Sequence, residues 1–416
     1  MISFAEACGH VGKIVPLESV SLPLERALDL VCSQDVIAVS DCPSQDGSLK
    51  DGLAVRSSDI ADARPDKPVS LRIQGTVTAG EKRPDLQVSS GRAVRVMTGA
   101  PIPPGATAVL AAEFAECGQE EALALADAGP GRNILRKGSD VARGQVVVRA
   151  GELLTPTHLG LLAAAGCNRV SCYRRPVAAV VATGSELVLP GEAVEPGKVA
   201  ASNLITVAAE LRRLGIRPET ILVSDHLDKL QARLATLLDG LDVLITCGGV
   251  LDGDKDLTLQ AMDLLGMERI VHRVRMGPGK GICIGRIGKT LVFNLPGGPP
   301  SNHVALVTLA LPGIRRLMGF AHPFPPRVPV QAGRTVRGQS DWTQFVYCLL
   351  VRKGKTLTAM PPDNMSRLET MAASCLLLEI PQGHTRINQG ESAEGWLFRP
   401  VPPGIPDRPP LPQTSP

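Results

Sequence analysis

Thr183-Gly184-Ser185-Glu186, Ser202-Asn203, Cys247-Gly248-Gly249-Val250 with the aspartates Asp252, Asp254 and Asp256, and Leu295-Pro296-Gly297-Gly298-Pro299-Pro300-Ser301 are four chemically loaded turns within one stretch of this chain. Three of them follow apolar, β-branched runs at 177–182, 241–246 and 290–294. In open α/β sheets ligands bind outside the carboxyl ends of such strands. Glycines there let backbone N–H groups approach an anion, and nearby carboxylates invite a divalent cation. The combination points to a phosphorylated ligand.

Around this stretch, residues 176–319 alternate strand with helix. Helices are expected over 203–214, from Leu204, Val207, Ala208 and Leu211, and over 227–238, which together predict a doubly wound parallel sheet. Towards the N-terminus, Leu24, Ala27, Leu28 and Val31 have helical spacing over 23–31, before an extended 35–39. A second helix opens at Thr155-Pro156, with Thr as cap and Pro in the first turn. Between them, 69–78, 93–97, 106–112 and 145–148 read as short strands. After Pro323-Phe324-Pro325-Pro326 come hairpin-like runs at 343–352, 356–360 and 374–380. The expected division is a helical domain from 1–45 with 148–175, a β-rich insertion at 46–147, an α/β domain at 176–322, a C-terminal β-barrel-like domain at 323–400 and a disordered proline-rich tail at 401–416.

The chain has 416 residues, 44% of them hydrophobic, and a formal net charge of +3, a balance that gives no electrostatic case for nucleic acid or an anionic membrane. An aromatic content of 3% argues against base-stacking platforms. The segment Met1-Ile2-Ser3-Phe4-Ala5-Glu6 lacks a basic signal-peptide start, and no apolar run approaches the roughly 20 residues of a membrane span, so a cytoplasmic location is expected. Ten cysteines, scattered from Cys8 to Cys375 without a Cys-x-x-Cys pair, read as free thiols, and seven single histidines give no zinc spacing.

Each turn also has a plainer reading. Thr183 to Glu186 is formally a capping box, with Glu186 returning a hydrogen bond to a helix start, or else Glu186 is a ligand at a strand end. Asp252, Asp254 and Asp256 resemble the start of a calcium loop, but Leu257 stands where that loop requires Gly. What remains is an acidic turn capping a helix at 257–265, or a phosphate and Mg²⁺ site. The 295–301 turn precedes an apolar helix whose N-terminus and glycine amides suit an oxyanion, with Lys280 of Pro278-Gly279-Lys280 as a nearby cation. His303 reads as a surface histidine. The segments 46–55 and 97–101 are by themselves turn chemistry.

Taken together, these segments resemble the molybdopterin molybdenumtransferase family, comprising MoeA-type proteins and the E domain of gephyrin, from Ile2 to about Phe398. The family's Pro-x-Phe-Asp-x-Ser-Ala-Met-Asp-Gly-Tyr-Ala aligns with 43–54 and keeps Asp46, Ser48, Asp51 and Gly52. Met97-Thr98-Gly99-Ala100-Pro101 is intact, and Gly-x-Asn-Ile-Arg-x-x-Gly-Glu-Asp appears at 131–140. Ser-Thr-Gly-Asp-Glu-Leu is similar to 182–187, Asp-Ser-Asn to 201–203, Ser-Gly-Gly-Val-Ser-Val-Gly-x-x-Asp to 247–256, and Leu-Pro-Gly-Asn-Pro-Val-Ser to 295–301.

The resemblance implies a multi-domain α/β and β protein with a molybdopterin-binding domain, assembled as an elongated homodimer. It implies Mg²⁺-dependent insertion of molybdate into adenylylated molybdopterin with release of AMP. Carried onto this chain, Glu186, Asp225 and Asp256 hold Mg²⁺. Thr98, Thr183, Gly184, Ser202, Gly248, Gly249 and Lys280 contact the pterin nucleotide, and Arg273, Lys280, Pro296, Gly297, Pro299 and Ser301 contact molybdate. Asp51 and Thr98 enter from the second subunit, and molybdoenzyme maturation proteins are implied partners.

Departures cluster at the anion loops. Gly277 and Gly298 replace a family Lys and Asn, and Leu53 replaces a Tyr. Two family arginines face Asp341 or Trp342 and Tyr347 or Cys348, and Gly-Ser-Gly becomes roughly Met365-Ser366-Arg367. Arg275, Arg367 or Lys289 are candidates to restore the charge. Two alternatives stay open, a non-catalytic molybdopterin-binding carrier or scaffold and a transferase for another oxyanion such as tungstate.

Overall fold

A computed structural model describes residues 1–81, 85–248 and 257–400, and divides the chain into two compact units. One comprises Met1–Val20, Asp29–Val31 and the chain from Tyr173 onward; the other comprises Ser21–Leu28 and Cys32–Cys172.

The first unit is built on a six-stranded sheet. Its strands, in chain order, are β2 (Ala178–Thr183), β3 (Glu219–Val223), β4 (Val243–Cys247), β5 (Glu268–His272), β7 (Cys283–Ile287) and β8 (Thr290–Leu295), in the spatial order β3-β2-β4-β8-β7-β5. The first four in that order are parallel, whereas β7 runs antiparallel to both its neighbours, β8 and β5, so the expected parallel sheet is in fact mixed. Every residue of β2, β4 and β8 is buried, the pattern of strands covered on both faces. Alternate residues of β2 serve two cores. Ala178, Val180 and Ala182 pack with Leu204, Val207 and Leu211 of α2 (Ser202–Arg213), while Ala179 and Val181 pack with Leu230 and Leu234 of α3 (Leu227–Leu238) and Met262 of α4 (Leu257–Leu264). Helices on both faces make the sheet doubly wound.

The C-terminal part is a second sheet. Its strands are β1 (Ile2–Ser3), β6 (Val274–Gly277), β9 (Arg327–Ala332), β10 (Thr343–Lys353), β11 (Thr356–Met360), β12 (Leu376–Ile380) and β13 (Ser392–Leu397). The order β1-β6-β10-β11-β9-β13-β12, with β12 also pairing β10, closes five of them into a barrel. The 277–280 loop starts where β6 pairs β10, Met276 with Thr343 and Gly277 with Gln344.

The N-terminal helix α1 (Phe4–Gly12) opens with a capping box between Ser3 and Glu6. It belongs to this first unit, where Phe4 sits edge-on to Phe345 at 5.2 Å and to Trp396 at 5.7 Å. The helix expected over 23–31 shrinks to one 3₁₀ turn, Leu24–Arg26, with no buried residue.

The second unit carries a six-stranded sheet from Gly52–Val55, Val69–Val77, Arg92–Val96, Ala108–Ala111, Ala115–Cys117 and Glu121–Ala124. Its helix, Pro156–Ala164, is capped by Thr155 with Pro in the first turn as expected. Among the described residues no helix is long and apolar enough to cross a membrane.

Arg174 anchors the entry to the α/β sheet. Its Nη1 and Nη2 donate to Asp242 Oδ2 at 2.5 Å and Oδ1 at 2.8 Å, and Val177 N–H donates to the same carboxylate at 2.8 Å. Burial opposes the Asp242 charge, but Arg174 and the Val177 N–H outweigh it and hold the carboxyl below its usual range. A depressed carboxyl stabilises the fold above its unfolded pKa, and that contribution is lost as pH falls through the folded value. We expect Asp242→Asn to destabilise by about 2 kcal/mol, less than for a fully buried pair because the Arg174 side chain is 25% exposed. Equilibrium denaturation against pH checks this, with the loss shrinking at the acid end.

Candidate functional site

At the carboxyl ends of β2, β4 and β8 lies a cleft of about 680 Å³. Thr183, Glu186, Ser202, Asp225, Gly248, Pro296, Gly297, Pro299 and Ser301 line it, so most of the residues carried over from the family converge there. Gly184 flanks it between Thr183 and Glu186. Gly249 and Asp256 lie outside the described residues.

Residues 183–186 do not cap a helix. They form a turn leading into the short strand Leu187–Val188, and the Glu186 carboxylate folds back to within 2.7 Å of where a Cβ on Gly184 would sit. Ser185 N–H faces Asp225 Oδ2 at 3.4 Å. Glu186 and Asp225 are both exposed at the cleft. Hard oxygen donors beside open solvent suit Mg²⁺, which keeps several waters and shares substrate phosphates. Among the described residues no three His, Cys, Asp or Glu side chains gather as a metal cluster.

Gly248 is required by geometry. Its φ is +107° and an added Cβ would lie 2.8 Å from the Thr183 carbonyl oxygen. Cys247 beneath it is buried, which pushes its thiol up to about 12 and leaves it un-ionised. Residues 201–204, at the start of α2, also line the cleft, and that helix has no side-chain cap. Its first-turn N–H groups therefore remain available to an anion.

Asn203, read with Ser202 as one of the loaded turns, and Asn302, which was not anticipated, tie down the 295–301 loop. Asn203 Nδ2 donates to the Gly297 carbonyl at 2.8 Å, and the buried Asn302 donates to the Pro296 carbonyl at 3.0 Å. The helix that follows, α5 (Pro299–Ala305), has Gly298 as N-cap, so Pro299 and Pro300 fill its first two positions. Proline has no N–H. Asn302 N–H is bonded to the Gly298 carbonyl, leaving Ser301 as the free first-turn donor, fewer than the expected oxyanion-binding helix start requires.

His303 is 6% exposed rather than on the surface. Its Nδ1 lies 2.9 Å from the Tyr347 hydroxyl, its ring sits edge-on to Phe398 at 5.1 Å, and Tyr347 Oη donates at 3.4 Å to the Pro300 carbonyl. Burial, aided by the Arg399 charge, pushes the imidazole down to about 4, so it is neutral at neutral pH. The barrel thus props the loop from behind.

A second cleft of about 380 Å³ shares Pro296 and Ser301 with the first. Arg273, Lys280, Gln339, Trp342 and Gln344 also line it. Arg275, Arg367 and Lys289 are not in its lining. Arg275 sits opposite Ser3 in the β1–β6 pairing, Arg367 begins α7 (Arg367–Ala373), and Lys289 lies beside Asp242 at the far end of the sheet.

In the second unit, Asp51 and Thr98 meet directly. Thr98 N–H and hydroxyl both donate to Asp51 Oδ1, at 2.6 and 2.8 Å, and these bonds hold the carboxyl below its usual range.

Comparison with known proteins gives two family matches, the MoeA N-terminal region (domain I and II) over residues 2–166 and a probable molybdopterin binding domain over 179–316. The chain is 33% identical over 384 residues to molybdopterin molybdenumtransferase 2 of Mycobacterium tuberculosis, covering 91% of this chain and 94% of that protein. It is 30% identical to the molybdopterin molybdenumtransferase of Bacillus subtilis, covering 90% and 89% of the two chains. A molybdopterin biosynthesis MoeA protein from Pyrococcus horikoshii has the same fold, with a TM-score of 0.80 and 28% identity over 96% of this chain and 100% of that one.

We expect Gly248→Ala to cost about 1–3 kcal/mol, measured by urea denaturation, because both its φ and the Thr183 carbonyl oppose a side chain. Tyr347→Phe leaves the buried His303 nitrogen without its partner and should cost about 1–3 kcal/mol in the same assay.

Proposed function

The chain belongs to the molybdopterin molybdenumtransferase family, and we propose that it inserts molybdate into adenylylated molybdopterin, with Mg²⁺ present and AMP released. The observation that carries this reading is the wall common to the two clefts. Pro296 and Ser301 face both, so a pterin nucleotide in the larger and an oxyanion in the smaller would meet across one loop.

In this reading Glu186 and Asp225, with Asp256, hold Mg²⁺, which supplies charge neutralisation for the departing phosphate. Gly248 lets the ligand approach the backbone, and the start of α2 faces its phosphates. Thr183 is oriented by Thr258, its hydroxyl 3.2 Å away. Arg273 and Lys280 supply the positive charge of the oxyanion cleft. Asp51 and Thr98 act from the second subunit of a homodimer, and molybdoenzyme maturation proteins receive the product. In this proposal the family's domains are threaded as 46–147, 176–322 and 323–400, with a helical domain from 1–45 and 148–175 apart from the N-terminal α1, which belongs to the first unit.

A specific observation favours a second reading. Pro300, where the family has Val, removes an amide donor, Gly298 lacks the family's Asn side chain, and Gly277 supplies no cation, so the cleft offers less to a dianion than the family pattern implies. A protein that binds the pterin nucleotide without transfer, as a carrier or maturation partner, would tolerate this.

The test mixes the purified chain with adenylylated molybdopterin, Mg²⁺ and either molybdate or tungstate, and follows AMP. Oxyanion-dependent release is expected, lowered about a hundredfold by Glu186→Gln or Asp225→Asn, the scale of losing one preorganised electrostatic group. Tight nucleotide binding with no AMP under either oxyanion would leave the second reading. Tungstate working as well as molybdate would widen the substrate class.

A further inference from the structure

The smaller cleft is richer in hydrogen-bond donors than acceptors, with Arg273, Lys280, Trp342 and Gln344 against the Gln339 amide and the Ser301 hydroxyl, and has no carboxylate in its lining. Gln344 Oε1 accepts from the Gln339 N–H at 2.7 Å, so the acceptor of this amide is used inside the protein. Its Nε2, which can only donate, is the end left towards the cleft, 3.6 Å from where a Cβ on Gly277 would sit. The Pro296 carbonyl, on the shared wall, is likewise occupied by Asn302. Lys280 Nζ lies 5.8 Å from the centroid of the Trp342 ring, a cation–π contact that restrains an otherwise flexible ammonium.

Tetrahedral oxyanions divide by protonation. Molybdate and tungstate at neutral pH are fully deprotonated and present acceptors alone, whereas inorganic phosphate carries at least one proton that needs an acceptor of its own. A cleft with an excess of donors satisfies the first group fully and sets the phosphate proton against donors wherever Gln339 and Ser301 do not reach it, a penalty that discriminates more strongly than a gained contact does.

We propose that Gln344 and Trp342 make this cleft selective for fully deprotonated oxyanions over hydrogen phosphate, Gln344 as a neutral donor to the ligand and Trp342 as the positioning residue for Lys280. The inference rests on the transferase reading for its choice of molybdate as ligand.

The test titrates the full chain calorimetrically with molybdate, tungstate and inorganic phosphate at fixed ionic strength, with thermal melts as the folding control. The wild-type chain should bind molybdate and tungstate at least about tenfold more tightly than phosphate. Gln344→Glu has nearly the same shape but offers a carboxylate acceptor. It should weaken molybdate binding by about tenfold or more and phosphate binding by less, collapsing the preference. Gln344→Met, which removes the donor without adding charge, should weaken molybdate severalfold and carries the test if the glutamate variant does not fold. Trp342→Phe keeps an aromatic face and should behave as wild type, while Trp342→Ala should weaken every oxyanion severalfold.

The proposal is overturned if neither molybdate nor tungstate binds, if the wild-type chain does not prefer them to phosphate, or if a folded Gln344 variant keeps the preference unchanged. AMP release separates the two readings. Selective, Gln344-dependent binding without AMP release removes the transferase reading and leaves this inference standing, and AMP release with an unresponsive Gln344 does the reverse.

Discussion

The pairing of Gly277 with Gln344, where β6 runs parallel to β10, is the joint on which the rest of the site depends. Gln344 is shared, since it also pairs with Ile380 of β12 and so lies where the barrel ring meets the α/β part. Alternation along β10 then distributes tasks. Phe345 and Tyr347 point into the core with Phe4 and Trp396, while Trp342 and Gln344 face the smaller cleft. A one-residue slip in this register would exchange the two sets, burying an amide and exposing an aromatic. The aromatic contacts of Phe4, Phe345 and Trp396 each add about 0.5–1.5 kcal/mol beyond area burial and help pin the register.

Electrostatics follow from the same arrangement. The 295–301 turn is held by Asn203 and Asn302 through its carbonyls and stiffened by three prolines. It is therefore a shaped wall more than an amide cradle. Donor capacity has moved from backbone N–H groups to side chains contributed by the barrel and the 277–281 loop. His303, neutral and buried behind that wall, supports its shape and adds no charge.

How much of this was legible in the sequence differs by element. β2, β4, β8 and the helices α2 and α3 could be read because strands covered on both faces appear as unbroken apolar runs and amphipathic helices keep their period. Residues 23–31 misled because Ala27, Leu30 and Val31 are buried as their spacing suggests, but Asp29 has φ +59°, which a right-handed helix cannot contain, and only a 3₁₀ turn survives. Glu186 and the 295–301 loop could be read as candidates because they follow strand ends and Asp225 because of the family resemblance, and all three line the larger cleft. The burial of His303 was not legible, since its cover comes from Tyr347, 44 positions away on another sheet. Trp342 was visible as a departure from the family pattern and Gln344 was not read at all, and the place of both in the cleft exists only through the β6–β10 pairing. Arg275 and Lys289 do not line the smaller cleft, since Arg275 lies opposite Ser3 in the β1–β6 pairing and Lys289 stands just before the start of β8, away from the carboxyl end.

The closed ring of β10, β11, β9, β13 and β12 has a further consequence. A sheet that closes on itself offers no row of unpaired backbone groups, and here the open continuation ends at β1, only two residues long. This part of the molecule cannot recruit a foreign strand into a long ladder, which protects it from edge-to-edge aggregation at high concentration. Any self-association through it must be written in side chains, and can therefore be specific.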